Sequence, residues 1–112
     1  MNNEFRIIKN MKQFILSLDD FLVNYPKSEK ILKDKIKSTS YEILELILLA
    51  NLKQEKLIEQ QLIISKINML DFYFEESYKK KYISEKTCMR KVQELSNITK
   101  MVYGWIKNGS KV

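Results

Sequence analysis

Apolar residues recur at steps of three and four along most of the 112-residue chain. From about residue 3 to 24 the stripe is Ile7, Met11, Phe14, Leu18 and Phe21, flanked by Ile8, Ile15 and Leu22. That spacing puts them on one helical face, and Arg6, Lys9, Lys12, Gln13, Asp19 and Asp20 fill the other. Tyr25-Pro26 ends the pattern, because proline disfavours helix at the residue before it. Ser28 then offers an N-cap for a second helix over about 29–52. Its first half is amphipathic through Ile31, Leu32 and Ile36. Its second half, "YEILELILLA", is apolar on most of its circumference, which predicts burial on more than one side, at a bundle centre or a subunit interface. The β-branched content there would also suit a strand, and the helical neighbours decide for helix.

A third helix is predicted over about 54–79, with Leu57, Ile58, Leu62, Ile64, Ile67, Leu70 and Phe74 as its apolar positions. Glu75 with Lys79, and Glu76 with Lys80, form i, i+4 pairs in the favourable order. After the basic link "KKKY", Ser84 caps a fourth helix over about 85–107, and Glu85 in its first turn suits the helix dipole. Its stripe is Cys88, Val92, Leu95, Ile98, Val102, Trp105 and Ile106. Asn108-Gly109 is a helix stop, and the closing "SKV" is expected to fray. Four such segments with short links predict one domain over 1–112, an all-α, up-down-up-down four-helix bundle.

Composition narrows the chemistry. Two glycines and one proline are too few for a turn-rich β fold or a glycine phosphate loop. Histidine is absent, which removes the commonest general base and metal ligand. The carboxylate pairs Glu42/Glu45, Glu55/Glu59 and Asp71/Glu75 therefore lack the Glu-x-x-His partner of a bundle di-metal site. The single cysteine, Cys88, lies on an apolar stripe, as a small buried residue would. No catalytic residue, metal or cofactor is expected. The longest near-apolar run, Ile43 to Ala50, is far below the roughly 20 residues of a membrane span. With no secretory leader in "MNNEFRIIKNMKQF", a cytoplasmic protein is expected.

The formal charge is +6 and it is unevenly spread. Residues 1–26 balance, with three basic and three acidic groups. Residues 27–53 carry six and four, net +2, and residues 54–78 two and five, net −3. Residues 79–112 carry nine basic and two acidic groups, net +7. Lys30, Lys33 and Lys37 follow Lys27 at helical steps, and Lys86 and Arg90 follow Lys79, Lys80 and Lys81. With Lys91, Lys100 and Lys107 these are the candidate nucleic-acid contacts, acting on phosphates by counterion release without reading sequence. Among the aromatics, Phe74 fits the core. Phe72 and Tyr73 point to other faces, so at least one is exposed or at an interface. Trp105 belongs either to the core or to a subunit contact, and Tyr103 joins the candidate interface set.

The segment "ISEKTCMRKVQELSNITKMVYGWIKNG" resembles the closing helix of the accessory variability determinant proteins of diversity-generating retroelements. The shared features are Ile83-Ser84 at the start and Gly104-Trp105-Ile106-Lys107 at the end. "YPKSEKILKDKI" and "ILELILLAN" are similar to the start and body of that family's second helix. A broader resemblance is to the four-helix bundles encoded by ribosomal RNA intervening sequences. The resemblance implies a homopentameric ring that binds template RNA or DNA and a reverse transcriptase during mutagenic cDNA synthesis. The chain departs from the family where Thr99-Lys100 replaces a Gly-Arg pair, where Tyr103 replaces a small residue, and around Asp71 to Tyr73, where arginines are common. The alternative is a helical protein-interaction scaffold without nucleic-acid binding.

Overall fold

The computed structural model describes residues 3–109. Its helices are α1 (Asn3–Leu16), α2 (Asp19–Leu22), α3 (Lys30–Leu52), α4 (Leu57–Lys79) and α5 (Glu85–Asn108), with a 3-10 turn, Lys27–Glu29, before α3. Among the described residues there is no strand. The closing "SKV" lies outside them. α1 packs on α3 and α5, α3 on α4, and α4 on α5. With short links the long helices alternate in direction, a four-cornered bundle of 45 × 23 × 19 Å.

The first predicted helix is interrupted at Ser17-Leu18. Ser17 shares its N–H between the carbonyls of Gln13 (3.1 Å) and Phe14 (3.2 Å). Its hydroxyl donates to the Phe14 carbonyl at 2.8 Å, and Leu18 donates to Ile15 at 3.1 Å. The ladder thus tightens from i−4 to i−3 for a turn, and the chain bends inward to place Phe21 and Leu22 in the core. Ser28 does not cap the second helix: it sits inside the 3-10 turn, and α3 begins without a side-chain cap. Ser84 does cap α5, accepting from the Thr87 N–H at 3.1 Å.

One core runs the length of the bundle. Ile7, Met11, Ile36, Ile43, Ile47, Ile63, Leu70, Phe74, Leu95 and Trp105 are all fully buried. Phe74 receives the edge of Phe14 (centroids 6.1 Å, interplanar 84°) and stands 6.0 Å from Phe21. Tyr25 and Tyr82 continue this aromatic chain at 5.3 Å, so α1, α2 and the α4–α5 link meet at one end.

The apolar half of α3 does not sit at a bundle centre. Ile43, Ile47 and Ala50 are buried, but Leu48 and Leu49 are 42% and 46% exposed and Leu52 is 85% exposed. On the neighbouring α4, Ile58, Leu62, Met69 and Phe72 are exposed as well. Of the two readings of "YEILELILLA", the bundle centre is therefore excluded, since its Leu48 and Leu49 face outward. Glu42 of α3 and Lys66 of α4 pair at 3.2 Å beside this face.

Asp71 is a second misfit on α4. It is partly buried and its Oδ1 has no hydrogen-bond partner among the described residues. Burial, and secondly Glu75, push its carboxyl up to about 6. The fold holds that proton more tightly than the unfolded chain does, so this site adds stability as pH falls through 6 and opposes folding once ionised. Asp71→Asn is expected to stabilise by about 1 kcal/mol at neutral pH, after allowing for solvent screening of a half-buried group, and to change nothing near pH 4. Urea melts at the two pH values check this.

Candidate nucleic-acid interface

The excess positive charge converges at the end where the 3-10 turn meets the α4–α5 link. Lys80 bridges them, donating to Glu29 at 3.0 Å and to Glu76 at 2.8 Å. The Tyr82 hydroxyl donates to the same Glu29 carboxylate at 2.6 Å. Tyr82 and Lys80 hold Glu29 below the usual carboxylate range, and the two carboxylates raise Lys80 in turn. This tie joins the 3-10 turn that carries Lys27 to the link that carries Lys81, between Lys79 at the end of α4 and the first turns of α5, where Lys86 and Arg90 stand. All five are exposed and none of them makes an ion pair among the described residues.

The backbone of the link shows why Lys81 stands out. The Tyr82 N–H reaches back to the Ser77 carbonyl at 2.9 Å, and the Lys81 N–H to Tyr78 at 2.9 Å. This is a Schellman ending, and it puts Lys81 at φ 67, the left-handed position that usually falls to glycine. A lysine there carries strain of about 1 kcal/mol. Lys81→Gly is expected to raise stability by about 0.5–1 kcal/mol while weakening phosphate binding a few-fold. A thermal melt and a binding isotherm on the same sample check the opposed signs.

Other expected contacts are changed by their surroundings. Lys30 is spent on Asp34 at 2.7 Å and Lys37 on Asp19 at 3.1 Å, so the second-helix stripe keeps Lys33 without an ion pair among the described residues. Of the two expected i, i+4 pairs, Glu76–Lys80 forms and Glu75–Lys79 is not among the ion pairs of the described residues. Lys100 and Lys107 are exposed but lie roughly 15 and 25 Å further along α5 than Arg90, at 1.5 Å per residue.

Lys91 is the clearest correction. It is 2% exposed and cannot reach a phosphate. Its ammonium donates to Ser17 Oγ and, at 3.1 Å, to Glu94. It lies 5.2 Å from the Phe14 ring centroid and 5.6 Å from that of Phe21. A buried lysine is tolerated when its charge meets acceptors and aromatic faces. Residue type alone does not reveal this. Its register was the available signal, since position 91 falls between Cys88 and Leu95 on the buried stripe.

The candidate interface aromatics divide. Trp105 is fully buried, with the Lys56 ammonium 5.3 Å from its ring centroid. It serves this protomer's core and not a subunit contact. Tyr73 is half-buried against the core. Phe72 and Tyr103 are 52% and 56% exposed and remain available to a partner. A groove of about 460 Å³ between α3 and α4, walled by Leu46, Leu49 and Leu62, runs along the same apolar face. Cys88 is buried and donates to the Phe74 carbonyl at 3.6 Å. Burial first, then the nearby carboxylates, raise its thiol, the reverse of what activates a nucleophile. Among the described residues no cluster of His, Cys, Asp or Glu is arranged to hold a metal, and no helix is long and apolar enough to cross a membrane. No family model, curated protein or solved structure matches this chain.

Proposed function

We propose that this bundle is a non-catalytic, self-associating accessory of a retroelement reverse transcriptase that grips template RNA or DNA by its phosphates. The observation that carries the binding is the unneutralised end formed by Lys27, Lys79, Lys81, Lys86 and Arg90. Four elements of the chain supply these residues, and the Lys80–Glu29 tie holds them together. The strained lysine at position 81 adds weight, since strain retained at a surface site is a mark of use. The exposed leucines of α3, with Ile58, Leu62 and Phe72 of α4, supply the face through which copies associate into a ring. The association with a reverse transcriptase, and a pentameric ring, rest on the resemblance of the second and fourth helices described above.

Fluorescence anisotropy with labelled single-stranded RNA and DNA tests the binding. About four phosphate contacts give a log–log salt slope near −3, so affinity should fall roughly 50-fold between about 50 and 200 mM salt, with little dependence on sequence at the basic end. Absent binding, or a flat salt response, overturns it. A second reading, a protein-interaction scaffold, is favoured by the same apolar face and by the net −3 of residues 54–78. Retention of a protein partner by a chain that binds no oligonucleotide would select it.

A further inference from the structure

α4 carries a second apolar stripe on the side away from the core. Ile58, Leu62, Met69 and Phe72 are all exposed, and with Ser65 they follow steps of four, three, four and three. One ridge therefore runs roughly 21 Å along the helix, at 1.5 Å per residue. Its middle is short of charge. Residues 60–70 hold a single charged side chain, Lys66, in a chain whose charged share is 30%, and Lys66 is paired with Glu42 of α3 at 3.2 Å. Gln61 and Asn68, which border the ridge, are exposed and neutral. An outward face rich in apolar side chains and poor in charge has the composition of an interface core and not of a solvated helix surface.

The order of side chains along the ridge selects its occupant. Read outward from Ser65 in either direction, it gives a flexible apolar chain (Leu62 or Met69) and then a bulky end (Ile58 or Phe72). Such an order complements itself when reversed. A second copy laid antiparallel and crossing at Ser65 sets Leu62 against Met69 and Ile58 against Phe72, and the small serine at the crossing lets the two helices approach closely. The groove walled by Leu46, Leu49 and Leu62 lies on the Leu62 side of the crossing, where the copy's Met69 falls. Lys66 is one residue from the crossing, so the copy's Lys66 falls beside the same groove, which Glu45 also lines. Glu45 is exposed and makes no ion pair among the described residues, which leaves it to meet that second ammonium. Glu55 and Glu75, which the same reversal opposes, lie ten residues from the crossing, beyond the ends of the ridge, where exposed like charges are screened. Direction follows from charge as well. A parallel pair would crowd two basic ends together, whereas an antiparallel pair sends them to opposite ends and opposes the two α4 dipoles.

We infer that the α4 ridge docks onto the same ridge of a second copy, antiparallel about a two-fold axis at Ser65. Such a contact closes on itself. The inference refines the self-association proposed above and rests on it, with Leu48 and Leu52 of α3 left for the ring contact. It also separates the two phosphate grips. Lys79 lies 14 residues from Ser65, so the basic ends of a pair stand roughly 40 Å apart at 1.5 Å per residue, and one strand of RNA or DNA can bridge both.

Cysteine cross-linking on a Cys88→Ala background tests the arrangement. Ser65→Cys should link to itself readily on mild oxidation, since it lies on the axis. Gln61→Cys alone should not, because the two thiols are displaced by roughly 12 Å along the helices. A mixture of Gln61→Cys and Asn68→Cys chains should give the mixed dimer. Self-linking by Gln61→Cys as strong as by Ser65→Cys would mean a parallel pair and overturn the inference, as would the absence of a Ser65→Cys disulfide. Light scattering supplies a second measurement. Ser65→Glu sets two like charges at the crossing, at an exposed position that disturbs no core, and should halve the mass of the assembly. An unchanged mass means that copies associate through another face, in which case the inference falls and self-association stands. A monomeric parent chain overturns both.

Discussion

Replacing Lys91 by alanine is expected to destabilise the bundle by about 3 kcal/mol, whereas Lys91→Met should stay within about 1 kcal/mol of the parent. Alanine removes a buried side chain whose ammonium lies over Phe14 and Phe21 and opens a cavity beside the bend at Ser17. Methionine refills that volume with a polarisable chain that suits two ring faces. It does away with the ammonium, but its carboxylate partner Glu94 is partly exposed and simply returns to water. Chemical denaturation of the two variants separates these outcomes. Lys91→Met should also bind nucleic acid as the parent does, because a side chain 2% exposed meets no phosphate. A large affinity loss in a folded Lys91→Met chain would overturn the structural role assigned to it.

Reversal of the basic end has the largest expected effect on binding. Lys79, Lys81, Lys86 and Arg90 changed together to glutamate remove four cations and add four anions at one locus. Affinity for single-stranded RNA or DNA should fall at least about 100-fold, and the salt slope should flatten by about 3. Neutralising Lys30 and Lys37 to glutamine should alter affinity by less than about threefold, since those ammonium groups already face Asp34 and Asp19. Comparable losses from both sets would mean that total charge, and not the arrangement at this end, governs binding. Circular dichroism establishes that each variant keeps its helices.

The fold was readable because helical periodicity is a local property. The stripes through Ile7 to Phe21 and Cys88 to Trp105 dictated which faces are buried, and both are buried. The bend at Ser17 was not readable, because it is made by a hydroxyl, a bifurcated N–H and an ammonium from a helix distant in sequence. The candidate phosphate surface was legible only as a region. Residue type announces a charge, but whether it is spent depends on acids across the bundle, such as Glu29 for Lys80 and Asp19 for Lys37. Lys91 shows the strongest form of this dependence, since its register on the apolar stripe outweighed its chemistry.

The burial of Cys88 and Trp105 has a practical consequence. The chain has one thiol and one indole, both on α5 and roughly 25 Å apart along its axis at 1.5 Å per residue. Alkylation of the first therefore reports opening near the α4–α5 link, and emission of the second reports solvent reaching the opposite end. Coincident midpoints from these two intrinsic reporters would establish that the bundle melts in one cooperative step; separated midpoints would reveal which end frays first.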